Sequence, residues 1–185
     1  MNALFLGPIA TRALATIQQS EQEFGFDSGV RRVLILSDDP REAPYAPRSV
    51  GAVGATVKLY PAQIRVRGLE ACALHEMGHA LCDRYDLAGA LGPFVRRTYR
   101  EREAYLRASE AAAHRPGRPG VVSGYAACER EEDFCETLAA YLTNRTTWRT
   151  RLTFNGEAVA VEGDARLRRK LDAVHALLRD LARFV

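Results

Sequence analysis

The stretch LHEMGH at residues 74–79 constrains this chain more than any other feature, because it places two histidines four residues apart around a glutamate. In an α-helix, His75 and His79 would lie one turn apart on the same face, where both imidazoles can bind a single ion. Glu76 would project beside that pair, in position to act as a base rather than as a ligand. The stretch therefore predicts a metal site on a helix.

The residues around the two histidines favour a buried helix. Residues 69–82 contain no proline, and their only glycine is Gly78. Leu74, Met77 and Leu81 form an apolar stripe at helical spacing, and the histidines fall on a neighbouring stripe. Buried imidazoles need polar partners, because unsatisfied buried polar groups are costly. The alternative to a metal ion is a pair of core histidines bonded to backbone carbonyls.

A catalytic zinc ion needs a third protein ligand and keeps one position for water. One common class supplies a third histidine six residues after the second, but that position is Tyr85 here, which excludes the class. The other usual supplier is a glutamate on a later helix, and residues 129–142 have a helical pattern. Glu132 and Glu136 lie one turn apart there, and spacing alone leaves both open. An acidic first turn favoured by the helix dipole is the alternative interpretation.

Taken together, the histidine motif and a downstream tyrosine and glutamate pair resemble the zinc metallopeptidases related to the catalytic domain of anthrax lethal factor. In that family a tyrosine lies seven residues before the glutamate that completes the zinc site, and a second glutamate follows one turn later. Tyr125, Glu132 and Glu136 have this spacing. The resemblance covers about residues 54–145, and Cys135 departs from it, because a small alanine is usual at that position.

The resemblance implies a zincin-like fold, one Zn²⁺ per chain, and a role for each motif residue. The implied zinc ligands are His75, His79 and Glu132, the general base is Glu76, and the hydroxyl near the reaction centre belongs to Tyr125. Glu136 or Asp133 could then bond the free ring nitrogen of a ligand histidine and set its tautomer. The substrate would be a protein or peptide, attacked by a water molecule that zinc activates.

Length, charge and the first residues limit the other classes of function. A chain of 185 residues with 47% hydrophobic content can bury one adequate core, so we expect a single domain over residues 1–185. The net charge of +3 is small and the basic residues alternate with acids, which argues against nucleic-acid binding. The apolar run at residues 3–6 follows no basic segment and meets Gly7-Pro8, so it predicts neither a signal peptide nor a membrane span. We expect a cytoplasmic protein that does not bind membranes. The sequence leaves open both export by a signal-independent route and the oligomeric state.

No two of the four cysteines have the C-x-x-C spacing, which argues against a thiolate zinc knuckle. Because no secretory signal is predicted, we expect reduced thiols that serve as small buried apolar groups. Cys72 and Cys82 lie on the same helical stripe as the two histidines. A disulfide, or a thiol close to the metal, is therefore an alternative that the sequence leaves open.

Hydrophobic periodicity and turn residues predict an α+β fold, in which a small mixed sheet accompanies the motif helix and a second helix that supplies the glutamate. The predicted helices are residues 8–24, 69–82, 94–113, 129–142 and 165–185. The predicted strands are residues 32–37, 56–60 and 64–67, followed by a hairpin of residues 148–154 and 157–161 around Asn155-Gly156, a type I′ turn signal.

Three connections affect the expected cleft. The strand before the motif helix is expected to offer an unpaired edge, along which an extended peptide could bind. Residues 44–54 predict a surface loop, and the proline and glycine residues at 115–120 predict a flexible loop. That second loop would carry Tyr125 beside the cleft on a mobile segment. His114 and His175 lie outside the site pattern, and we expect them to be structural or exposed.

The sequence favours a zinc metalloendopeptidase and leaves two alternatives. One is a non-catalytic zinc-binding regulatory domain that uses the same site to hold a partner. The other is a specific protease effector or toxin that acts on one target protein. The sequence determines neither the substrate nor the cleavage site. Its pattern predicts no separate recognition domain, so we expect selectivity to come from the cleft and its loops.

Overall fold

The computed structural model describes residues 3–36, 45–46, 55–94, 119–127 and 129–183, which form an α+β structure. Within these ranges the helices are α1 (Ala3–Phe24), α2 (Pro61–Arg67), α3 (Leu69–Tyr85), α4 (Arg130–Thr143) and α5 (Ala165–Leu181), with a 3₁₀ turn at Leu87–Gly89. The strands are β1 (Val30–Ile35), β2 (Tyr45–Ala46), β3 (Ala55–Leu59), β4 (Arg151–Phe154) and β5 (Glu157–Ala160).

The first sheet has the order β1-β3-β2, with β3 parallel to β1 and antiparallel to β2. Val33 pairs with Val57 across the parallel ladder, and both side chains are buried. Helix α1 packs on β1 and α3, and α3 also packs on β3. A hydrophobic core therefore joins the sheet to the helix that carries the two histidines.

The second sheet is the predicted hairpin of β4 and β5, in which Leu152 pairs with Val159. Asn155 and Gly156 connect the strands and have φ angles of 52° and 79°. Positive φ at both central residues is what a type I′ turn requires, so the prediction from Asn-Gly is confirmed.

Helices α3 and α4 form the most extensive helix contact in the described part of the chain, and Gly78 lets them approach closely. A methyl group added at Gly78 would lie 2.8 Å from Cys135 Sγ and 3.1 Å from Cys135 Cα, closer than side-chain carbons pack. Glycine is otherwise unfavourable inside a helix by about 1 kcal/mol relative to alanine. The glycine is therefore explained by packing, since it lets the backbone of α4 lie against α3.

One predicted strand is wrong. Residues 64–67 alternate in hydrophobicity, but they form the end of α2. Pro61 is the first residue of that helix, where a fixed φ and a missing N–H are tolerated, and Gly68 ends it with a φ of 83°. The prediction treated Pro61 as an interruption of a strand, whereas it starts a helix.

The expected free edge before the motif helix is also not observed. β3 is the last strand before α3, and it is paired on both sides, with β1 and with β2. In the described sheet the edges are β1 and β2. An extended peptide could not add to β3 on one side without displacing β1, nor at Thr56 and Val57 on the other side without displacing β2.

The remaining element predictions differ in their outcome. The helices predicted at residues 69–82, 129–142 and 165–185 are observed with ends shifted by a few residues, and α1 begins at Ala3 with Pro8 inside it. Strand β2 lies within the predicted loop at 44–54. Most of the helix predicted at 94–113, together with His114 and Cys128, lies outside the described residues. None of the helices in the described ranges has the length and apolar character needed to cross a membrane.

We expect Gly78→Ala to lower the free energy of unfolding by about 1–3 kcal/mol, because overpacking between α3 and α4 exceeds the gain in helix propensity. Gly89→Ala is the matched control, since a methyl group there meets no atom within 4 Å. Urea unfolding of both variants measures the difference. Adding Cys135→Ala to Gly78→Ala should recover part of the loss, and a Gly78→Ala protein as stable as wild type would contradict the close contact.

Candidate metal centre

Helix α3 presents His75 and His79 on one face, and α4 places Glu132 opposite them. One ligand atom from each of these three residues lies within 4.8 Å of the other two. Glu132 Oε2 is 3.1 Å from His75 Nε2 and 3.5 Å from His79 Nε2. The three residues that the sequence motif and the family resemblance selected are therefore brought together at one point.

The site is buried on one side and accessible on the other. The His75 side chain is 2% exposed, whereas those of His79 and Glu132 are 13% and 19% exposed. An ion held here would be anchored in the core and would still be reachable by solvent. A catalytic metal site needs this arrangement, because one coordination position must remain for water.

Two further glutamates approach the other ring nitrogens of the histidines. Glu131 Oε1 lies 2.7 Å from His79 Nδ1. Glu136 Oε1 lies 2.8 Å from His75 Nδ1, although off the N–H direction, since Nδ1 makes no aligned hydrogen bond within the described residues. Carboxylates at Nδ1 orient each ring with Nε2 towards the metal and raise its basicity.

Glu136 is held by two more contacts. Its Oε1 accepts from the Arg67 guanidinium, and its Oε2 accepts from Ser123 Oγ at 2.7 Å. Burial alone would raise the pKa of Glu136, but the positive charge of Arg67 and the contacts with His75 and Ser123 lower it to about 2. The residue is therefore an anion at neutral pH despite complete burial.

The donor set fits a zinc ion. Glu132 Oε2 is buried and makes no aligned hydrogen bond to any described residue, although a buried carboxylate oxygen without a partner is costly. Burial would raise the pKa of Glu132, but the two imidazoles hold it well below its usual range. Two imidazole nitrogens and one carboxylate oxygen form a ligand set that catalytic zinc sites use.

The electrostatics of His79 also favour a bound cation. Burial alone would lower the pKa of this imidazole, but the carboxylates of Glu131 and Glu132 raise it to about 11. The two glutamates therefore make this point strongly attractive to a cation. A proton and a metal ion compete for the same nitrogen.

Glu76 lies beside His75, His79 and Glu132 without belonging to their cluster. The residue is 3% exposed, and its Oε2 makes no hydrogen bond within the described ranges. Burial raises the pKa of Glu76, while His75 and His79 oppose that rise only in part. A carboxylate with a raised pKa and a free oxygen is suited to accept a proton from a water molecule held next to it.

Tyr125 lies against the site, with its ring centroid 5.6 Å from that of His75. The segment that carries it is anchored at two points. The N–H of Gly120 donates to Asp164 Oδ2 at 2.5 Å and its carbonyl accepts from Lys170, while Ser123 Oγ bonds to Glu136. The flexible loop predicted at 115–120 lies mostly outside the described residues, and the part from 119 to 127 is tied to α4 and α5.

Asp133, the other residue expected near a ligand histidine, is fully buried and accepts from Lys170 Nζ at 2.6 Å. The contacts to the Nδ1 atoms are made by Glu136 and Glu131 instead. Sequence reasoning did not single out Glu131, although it stands beside Glu132 in the acidic run. It also missed Arg67 and Lys170, because a single basic residue carries no signal of burial.

The comparison with known families agrees with this geometry. Residues 57–181 match the family described as "Putative zinc-binding metallo-peptidase", which is more than half of the chain. The chain belongs to this family, and its class is therefore that of the zinc-binding metallopeptidases. No curated protein and no solved structure matches the chain at a significant level.

If Glu131 orients His79 for metal binding, Glu131→Gln should weaken zinc affinity by about 10-fold, within the range typical of such outer contacts. Glu132→Ala should weaken it much further, because a ligand atom is lost. The zinc dissociation constant, measured by competition with a chelating indicator, checks both. The exposed Glu162→Gln is the control and should bind as wild type does. Wild-type affinity in Glu132→Ala would contradict the ligand set.

Proposed function

We propose that the protein is a zinc metalloendopeptidase that hydrolyses peptide bonds in a protein or peptide substrate. One Zn²⁺ per chain would be held by His75, His79 and Glu132. The observation that carries the proposal is the convergence of these three ligands, with a buried Glu76 beside them, between two closely packed helices. Membership of a zinc-binding metallopeptidase family supports it.

The chemistry follows from the chain's own residues around that ion. A zinc ion held by His75, His79 and Glu132 would act as a Lewis acid towards water and towards the substrate carbonyl. Glu76 accepts the proton of the attacking water and then delivers it to the leaving nitrogen. The carboxylate suits both steps, because burial raises its pKa and no described residue bonds to its Oε2.

Tyr125 is proposed to donate its hydroxyl to the carbonyl oxygen as negative charge develops there. The ring packs at 5.6 Å from the His75 ring, on a segment tied to α4 by the bond from Ser123 to Glu136. A donor fixed before the reaction stabilises the transition state without paying for reorganisation. Glu131 and Glu136 orient the two imidazoles from outside the ligand set.

We further infer that residues 1–185 form one domain of the zincin-like type, close to the metallopeptidases related to anthrax lethal factor. The seven-residue step from Tyr125 to Glu132 and the position of Glu136 against His75 support this assignment. Nucleic acids and membranes are not proposed as partners, because the basic residues alternate with acids and the net charge is only +3.

We expect Glu76→Gln to keep zinc and to lose hydrolysis by about 10²–10⁴-fold, because the amide cannot accept the proton of the water. Zinc content by metal analysis, together with digestion of a denatured proteome, measures both properties. Glu70→Gln, an exposed change on the same helix, should leave both unchanged. Full activity in Glu76→Gln would remove Glu76 from its role, and zinc without turnover in the wild type would favour a regulatory domain.

Tyr125→Phe should lower kcat by about 10²-fold or more, the cost of one oxyanion donor, with unchanged zinc affinity. Tyr85→Phe is the matched control, because that hydroxyl donates to the Asp27 carbonyl at 2.9 Å. Tyr85→Phe should lower the free energy of unfolding and leave kcat unchanged. Steady-state kinetics on one peptide substrate compares the two variants, and equal kcat values would contradict the role of the Tyr125 hydroxyl.

A further inference from the structure

We infer that Arg67 is a positioning residue of the metal centre. Its buried guanidinium holds the Glu136 carboxylate, and through that carboxylate it sets the ring of His75. This inference rests on the proposed zinc site and extends it to a residue that contacts neither metal nor substrate. It also assigns a purpose to α2, the short helix immediately before the motif helix.

The first observation is the burial of the positive charge. The Arg67 side chain is only 2% exposed, and the carboxylate it contacts, Glu136, is fully buried. Removing such charges from water is energetically unfavourable, and replacing a buried pair by apolar residues is often neutral or stabilising. A pair of this kind is therefore weak evidence for stability and invites a functional explanation.

The second observation is how Glu136 distributes its contacts. Oε1 is shared between the Arg67 guanidinium and His75 Nδ1, which lies 2.8 Å away, and Oε2 accepts from Ser123 Oγ. With both oxygens held, rotation of the carboxylate would break at least one of these contacts. The Nδ1 side of His75 is thus fixed, and its Nε2 faces Glu132 at 3.1 Å.

The third observation is a contact with Tyr125. The Arg67 Cζ lies 5.9 Å from the centroid of the Tyr125 ring, within the range of a cation–π interaction, and that ring packs on His75. One guanidinium therefore touches both the carboxylate behind a metal ligand and the ring of the proposed hydroxyl donor. The planar fork of arginine suits two such contacts better than the point charge of lysine.

The backbone explains why this arginine points inwards. Arg67 is the last residue of α2, and Gly68, with φ 83° and ψ 154°, turns the chain directly into α3. From this position the Arg67 guanidinium reaches Glu136 on α4. Arg65, two residues earlier on the same helix, is exposed and provides a matched control.

The test is a double-mutant cycle on metal binding, using Arg67→Met, Glu136→Gln and the double variant, with Arg65→Met as control. Zinc dissociation constants are measured by chelator competition. The visible spectrum of the cobalt(II)-loaded protein reports the ligand geometry independently of activity. Circular dichroism verifies folding, and the double variant is expected to fold because both buried charges are removed together.

If Arg67 acts through Glu136, Arg67→Met and Glu136→Gln should each weaken zinc binding by about 10- to 100-fold and alter the cobalt spectrum. The double variant should bind zinc as Glu136→Gln does, since the second change removes a contact already lost. Arg65→Met should match the wild type. Should Arg67→Met fail to fold, the comparison of Glu136→Gln with the double variant still decides the matter.

Two results would overturn the inference while leaving the proposed function intact. The first is wild-type zinc affinity and an unchanged cobalt spectrum in folded Arg67→Met or in Glu136→Gln. The second is a further loss of tenfold or more when Arg67→Met is added to Glu136→Gln, which would show that Arg67 acts independently. A wild-type protein that binds no zinc would overturn the proposed function itself, and the inference with it.

Discussion

The contact between Gly78 and Cys135 is the constraint on which the rest of the structure depends. A missing side chain on α3 lets the backbone of α4 approach, and a methyl group would come within 2.8 Å of the Cys135 sulfur. Because Glu132 lies one turn from Cys135 on α4, this approach determines how far its carboxylate stands from the imidazoles. A ligand set that must meet within a few ångströms needs its helices packed to that accuracy.

Around this helix pair the protein buries several charged side chains. Two carboxylates of α4 form buried pairs, Glu136 with Arg67 and Asp133 with Lys170, and among the described residues both Glu76 and Glu132 have a buried oxygen without an aligned partner. Buried charges lower stability unless they are paired or bind a metal. Each pair also contacts part of the candidate site or a segment next to it: Glu136 approaches His75, and Lys170 donates to the Gly120 carbonyl on the segment that leads to Tyr125.

Part of this arrangement could be predicted from local sequence, and part could not. The motif helix, the glutamate helix and the Asn-Gly hairpin follow from periodicity and turn chemistry, which act over a few residues. The strand predicted at residues 64–67 is wrong, because alternation over only four residues is weak evidence for a strand. Pro61 can also start a helix as readily as it ends a strand. The pairing of β3 on both sides depends on β1, more than twenty residues earlier, and no local pattern reveals it.

By itself, the sequence determined that two histidines and a glutamate share one helix, and that an acidic helix follows. It left Glu132 and Glu136 equivalent in spacing, and only the resemblance to a known family separated them. The tertiary structure distinguishes the two glutamates by their contacts. Glu132 faces the Nε2 atoms of His75 and His79, while Arg67 and Ser123 hold Glu136 on the Nδ1 side of His75. Residues one turn apart share a helix face, but the partners that each carboxylate meets are set by the packing of other elements.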